Sequence, residues 1–326
     1  MVIARRRFLR LAGAAIAVPA ASGRVAAQSY PARAVRVVVP YAPGGPTDVF
    51  GRLIAQKLSE QLGKQFYVEN IGGANGNIGM GRAAKAAADG YTALVVSPSY
   101  AINFTLYDKA PYDPSRDFDP VAVAVTNPFV LTVNPSLPAQ SVKELVALIK
   151  AGPGKYNYAT GGTGSLPHLV GEQFRLAYGL DLVHVPFNSA GLAIASVVAG
   201  HTSMSIGSLA PAVPQIADGK LRALAVTGKT RWQTLPGVPT MTEAGYPDIE
   251  GENWQAVLVP AGTPRDITAL LNREIAAILA QPDMKERLAA VGFAPVANTP
   301  ETSAAQIGAE VAKWAKVIRR AGIKVE

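Results

Sequence analysis

Val35-Arg36-Val37-Val38-Val39-Pro40-Tyr41-Ala42-Pro43-Gly44-Gly45-Pro46-Thr47-Asp48 is a β-branched run that stops at a glycine-rich turn. Val49, Leu53, Leu58 and Leu62 follow near one helical face, and Gly63 ends the helix they predict. A strand, a glycine turn and a helix open a parallel α/β unit. The same transition recurs at Gly72-Gly73-Ala74-Asn75-Gly76-Asn77, at Thr160-Gly161-Gly162-Thr163-Gly164-Ser165 and at Asn188-Ser189-Ala190-Gly191. None of these turns carries Lys, Arg, Cys or His. They offer backbone N–H groups and small hydroxyl or amide side chains at helix N-termini, which hold an anion without a counter-charge and without reacting with it. That chemistry points to a receptor more than to an enzyme.

Strands are expected at 66–68 and 92–96, around a helix over 78–88. The plan then repeats, with strands at 130–133, 156–159, 182–185, 203–206 and 221–226 and helices over 142–150, 166–178 and 192–199. A late strand at 257–259 precedes a helix capped by Thr263 with Pro264 at its first position. In the last helix Ile307, Val311, Trp314 and Ile318 make one face. The expected fold is α/β with two lobes, each a mainly parallel sheet flanked by helices. Residues 28–126 and 254–326 form lobe 1, and 127–253 form lobe 2. Ligands of open α/β sheets sit outside the C-terminal ends of the strands, so a cleft between the lobes brings the four turns face to face.

The chain has 326 residues and a formal charge of +8, yet five of its 31 basic residues lie in the first 27 positions, where there is no acid. The remaining 26 basic residues face 23 acidic ones, and no comparable basic cluster recurs, so nucleic acid is not expected as a partner. Cysteine is absent, which removes disulfides, thiolate metal sites and Cys nucleophiles. Arg5-Arg6-Arg7-Phe8-Leu9-Arg10, the apolar run from Leu11 to Ala21 and the small Val25-Ala26-Ala27 make the three parts of a secretory signal. The signal is either of the twin-arginine type or an ordinary one rich in Arg. Either way the mature chain begins near Gln28, outside the cytoplasm, in the periplasm.

These segments together resemble the solute receptors of tripartite tricarboxylate transporters, the Bug family of periplasmic binding proteins. The resemblance is carried in order by residues 38–48, Asn75-Gly76-Asn77-Ile78-Gly79, Asp89-Gly90-Tyr91-Thr92, residues 158–165 with His168, and His184-Val185-Pro186-Phe187. Residues 219–227, Leu235-Pro236-Gly237-Val238-Pro239-Thr240 and Glu243-Ala244-Gly245-Tyr246 complete it. It implies a flytrap-like, type II-like receptor, monomeric, that binds a di-, tri- or aromatic carboxylate and delivers it to a membrane permease. It also implies that the carboxylate is held by the loops 41–48 and 73–77, while 160–165 and 188–191 read the rest of the ligand. Two departures are visible: Asn188-Ser189-Ala190 stand where more glycine is usual, and Gly207-Ser208 where a carboxylate is. The second disfavours an amino-acid ligand.

The candidate ligand contacts follow. Tyr41 and Phe187 either wall the pocket or pack at strand ends. Gly44, Gly45, Gly76, Gly161 and Gly164 offer backbone N–H groups. Thr47 and Asp48 either touch ligand or cap the first helix. Asn75 and Asn77 either reach a carboxylate or simply tolerate a left-handed turn. Thr160, Thr163 and Ser165 crowd three hydroxyls onto one turn, and Asn188, Ala190 and Ser208 complete the far wall. His168 is either a helix-face histidine near the cleft or half of a Ser165/His168 pair. An exported hydrolase using Ser165 is the enzyme alternative, but no Gly-x-Ser-x-Gly elbow exists. Gly228-Lys229-Thr230 lacks the earlier glycine of a phosphate loop, and His168, His184 and His201 have no metal-type spacing. No cofactor is expected. A sensor subunit that presents a carboxylate to a membrane kinase would use the same cleft.

Overall fold

The computed structural model describes residues 30–325. The expected signal over 1–27 lies outside them. The first part of the chain forms β1 (Val35–Val39), α1 (Pro46–Leu62), β2 (Phe66–Asn70), a 3-10 turn (Ala74–Gly76), α2 (Asn77–Ala84), β3 (Thr92–Val96) and α3 (Ser99–Leu106). β4 (Phe118–Val133) leads into α4 (Val142–Ala151), β5 (Tyr156–Thr160), α5 (Leu166–Tyr178) and β6 (Leu182–Pro186). Then come α6 (Ala190–Val198), β7 (Met204–Ser208), α7 (Leu209–Ala217) and β8 (Arg222–Val226). The chain closes with β9 (Glu252–Pro260), α8 (Arg265–Ala280), α9 (Pro282–Ala290), β10 (Ala294–Pro295) and α10 (Pro300–Ala321). No helix among the described residues is long and apolar enough to cross a membrane.

The fold is the expected two-lobed α/β plan, built on a sheet ordered β2-β1-β3-β9-β4-β7-β5-β6. β1 runs parallel to β2 and β3, and β5 runs parallel to β6 and β7. The centre is antiparallel. β4 pairs with β9 as far as Pro128 and then, from Phe129, with β7, while β8 lies along its other edge. One strand thus serves both halves of the sheet. The strands expected at 130–133 and 257–259 are parts of these longer ones. Pro120 and Pro128 read as breakers, but register shifts near Pro120 and Val123 absorb the first interruption.

Helices cover both faces of each half, so the central strands are apolar throughout. In the first half Phe50, Ile54 and Leu58 of α1 meet Leu271, Ile275 and Ile278 of α8, and Tyr100, Trp254 and Ile307 fill the other face. In the second half Tyr158, Phe174 and Leu145 pack with Trp314, Val317 and Ile318, while Ile194, Val197 and Leu209 cover the opposite face. α10 therefore lends its early turns to one half and its late turns to the other. α3, α7 and α9 go beyond the expected elements; prolines at 98, 211 and 214 obscured the first two. α2 is shorter than expected and stops at Ala84. Thr263 does not cap α8: its hydroxyl donates to the Pro260 carbonyl (2.7 Å), and Pro264 occupies the cap.

Candidate ligand-binding cleft

Two cavities of about 300 and 320 Å³ meet where the halves face each other, sharing Tyr41, Ser97 and Asn253. They lie outside the C-terminal ends of β1, β3, β5 and β7, where the open-sheet rule places them. Five α-helices start at their walls: α1 at Gly45–Thr47, α3 at Ser99, α5 at Ser165, α6 at Ala190 and α7 at Ser208. Only α6 has a side-chain cap, Ser189; the other four begin without one. Apart from Pro46, Pro167 and Pro211, which have no N–H, and Tyr100 and Ala101 of α3, which donate to the Ser97 and Pro98 carbonyls, their first backbone N–H groups are left for water or a ligand. No charged side chain lines either cavity.

In the first loop Gly44 takes φ 89°, a left-handed conformation that favours glycine. Its N–H donates to Asp48 Oδ2 (2.9 Å), which also accepts from Arg52 Nε (2.9 Å). Asn70 Nδ2 donates to Asp48 Oδ1 (2.8 Å) and to the Tyr41 carbonyl (3.1 Å). Burial pushes the Asp48 carboxyl up, but Arg52, the Gly44 N–H and Asn70 outweigh it and hold the group below its ordinary range. Asp48 is thus an anion whose bonds shape the loop, and it lies outside the lining of both cavities. Tyr41 is different. Its hydroxyl bonds to Ser97 Oγ (2.9 Å) and to Ser99 Oγ, and burial pushes its ionisation up, so it stays a neutral donor at the cleft. Gly45 and Thr47 line the second cavity, whereas Gly44 does not.

The second loop is locked from below. Asn103, fully buried, donates to the Asn75 carbonyl (2.9 Å) and to Asn77 Oδ1 (3.0 Å), and accepts from Asn75 Nδ2 (3.0 Å). Asn75 sits left-handed at φ 51°, as the turn reading has it, and it also lines the cleft. Asn77 is buried and lies outside the lining. Gly76 (φ 95°) is outside it too; a Cβ there would lie 3.0 Å from the Tyr41 ring, so this glycine lets the loop close on Tyr41.

In the second half Thr160, Gly161, Gly164, Ser165, Ala190 and Ser208 reach the cleft as expected. Thr163 and Asn188 are exposed beside it, and Phe187 packs on the core around Ile194. His168 does not line the cleft. It is 5% exposed, and its Nδ1 accepts from the Gly164 N–H (3.0 Å) behind the loop. Its ring stacks on His184 at 3.8 Å between centroids, and His184 Nε2 bonds to Thr160 Oγ1 (2.7 Å). Burial lowers the His168 pKa; burial, then the neighbouring His168, pushes His184 down to about 4. Both rings are neutral props under the loop. Ser165 Oγ donates to the Gly162 carbonyl (2.6 Å), so the Ser165/His168 pair is not formed. Among the described residues no group of three His, Asp or Glu could hold a metal.

The lining residues not foreseen include Ser97, Ser99, Ile102, Phe129, Asn253 and Gln255. Ser97-Pro98-Ser99 ends β3, so the strand-end rule reaches it, but it lacks the glycines that marked the other turns. Asn253 and Gln255 enter from the start of an antiparallel strand, which that rule does not cover.

The sequence matches the model of the tripartite tricarboxylate transporter family receptor over residues 50–323. It is 38% identical over 322 residues to Protein BugT of Bordetella pertussis, covering 98% of this chain and 99% of that one. The fold is similar to that of R. palustris Rpa4515 with adipate, at 36% identity and a TM-score of 0.75 over 90% of this chain and 99% of that one. It is also similar to MatC of Rhodopseudomonas palustris with bound malate, at 32% identity and a TM-score of 0.71 over 89% and 100%. An uncharged cleft of open helix N-termini between two α/β lobes thus occurs in a chain that belongs to the Bug family of tripartite tricarboxylate transporter receptors.

Proposed function

We propose that the protein captures a small organic carboxylate in this cleft, in the periplasm, and delivers it to a membrane permease without transforming it. The observation that carries the reading is the set of uncapped helix starts facing an uncharged cleft beside the Tyr41, Ser97 and Ser99 hydroxyls. Residues 28–126 with 254–326, and 127–253, act as the two closing lobes, after export directed by the leader within 1–27. The adipate and malate held by the two relatives favour a ligand with at least one carboxylate.

A carboxylate accepting three or four N–H or O–H bonds gains on the order of 1.5–3 kcal/mol from each. Each helix start adds roughly 0.3–1 kcal/mol. Micromolar binding needs about 8.2 kcal/mol net, so the cleft reaches that range without Arg and with room for the cost of closure. Neutral donors also release cargo more readily than a buried ion pair. The test is a thermal-shift screen of the purified protein against organic acids, with amino acids, sugars and nucleotides as controls. A ligand at a hundredfold excess over Kd stabilises by roughly 2.7 kcal/mol. A rise confined to carboxylates supports the reading; a rise with sugars or nucleotides alone overturns it.

A further inference from the structure

We infer that Gln255 reads a hydroxyl on the cargo, which makes the cargo a small hydroxycarboxylate; this rests on the carboxylate-receptor reading above. Gln255 lies on β9, in the wall of the 320 Å³ cavity beside Tyr41, Thr47 and Ser97. It is 1% exposed, and its Oε1 has no hydrogen-bond partner. Buried polar atoms are nearly always paired, and an amide oxygen left alone is costly.

The kind of partner follows from donor and acceptor counting. An amide oxygen only accepts, and so does a carboxylate, so the cargo's carboxylate cannot satisfy it. The nearby Tyr41 and Ser97 hydroxyls bond to each other and to Ser99, and neither reaches Gln255 Oε1. Asn253, two positions back on the same strand, commits one of its two amide N–H groups to Asn127 Oδ1 (2.9 Å), and neither its other N–H nor the Thr47 hydroxyl reaches Gln255 Oε1. The missing donor therefore arrives with the ligand. An ammonium would need a counter-charge, and no acid lines either cavity, while Asp48 is committed to Gly44, Arg52 and Asn70. A hydroxyl needs none. The terminal torsion of an amide is broad, so Gln255 turns to offer its oxygen to the cavity. A site built to bond a ligand hydroxyl discriminates strongly against the analogue that lacks it, because the buried group is then left unpaired.

Calorimetric titration with matched pairs tests this: malate against succinate, citrate against tricarballylate, and mandelate against phenylacetate. The wild-type protein should bind the hydroxylated member of at least one pair roughly ten- to a hundredfold more tightly. Gln255→Met keeps the length and removes the polar atoms. It should bring that ratio to about threefold or less by weakening the hydroxylated member alone. Ratios near one in every pair that binds overturn the inference and leave the carboxylate reading standing. So does Q255M weakening both members alike, which assigns Gln255 to an ordered water or to packing. No binding by any acid overturns both. The wild-type ratios decide the matter if Q255M melts early.

Discussion

The stacked histidines under the Thr160–Ser165 loop make stability depend on pH in a defined direction. His184 has an ordinary value of 6.5 and is held at about 4 in the folded chain, first by burial and then by His168. Between those values the unfolded chain binds a proton that the folded chain refuses, so stability falls as pH falls through this window. Below about pH 4 both states carry the proton and the slope flattens. The gap is worth roughly 3 kcal/mol at 1.36 kcal/mol per tenfold. The ring is only partly buried, and solvent screening reduces this to roughly 1–2 kcal/mol. The perturbation is His184→Gln, which keeps a polar group for Thr160 and removes the titration. Thermal melts of both proteins at pH 7.5 and 4.5 supply the comparison. Other groups acidify both alike, so the difference of differences isolates His184. The wild type should lose roughly 2–5 °C more than H184Q on acidification. Equal losses would refute the argument that the neutral stack supports the loop.

Tyr41→Phe removes the hydroxyl that bonds to Ser97 and Ser99; calorimetry should show roughly a tenfold weaker carboxylate, and thermal melts a loss of about 2–4 °C, as expected for one net hydrogen bond of about 1 kcal/mol. In Gly79→Ala the new Cβ would lie 2.5 Å from the Ile71 carbonyl oxygen and 2.8 Å from Pro40 Cα, contacts that backbone cannot relieve cheaply. Denaturant titration should show a loss of about 1–3 kcal/mol, with weaker ligand binding as α2 moves off Pro40 and carries Asn75 with it.

Much of the fold was legible because backbone and pattern agree. β1, β2, β5 and α5 are strongly patterned and bounded by glycine or proline, and Gly63 and Gly179 take the left-handed φ of helix ends, 66° and 61°. β4 was not legible as one strand, since its pairing partners lie far away in sequence and no local signal says that Pro128 stays in the ladder. The cleft was partly legible. Thr160, Ser165, Ala190 and Ser208 follow from the strand-end rule. His168 and Asn77 do not line it, although each opens a helix next to a turn that does. Sequence places a side chain on an element, but here hydrogen bonds to Gly164 and Asn103 decide which way it faces. Gln255 gave no signal at all, because a buried amide in an apolar strand is conspicuous only once its neighbours are known to offer it nothing.

The division of α10 bears on how the chain is made. Trp314, Val317 and Ile318 complete the core around Tyr158 and Phe174, residues synthesised long before them. The middle of the chain thus leaves the ribosome with an apolar face that its own neighbours in sequence cannot cover. It must wait, unsealed, until α10 has been added, so this half of the sheet is completed by a helix made after every strand of both halves.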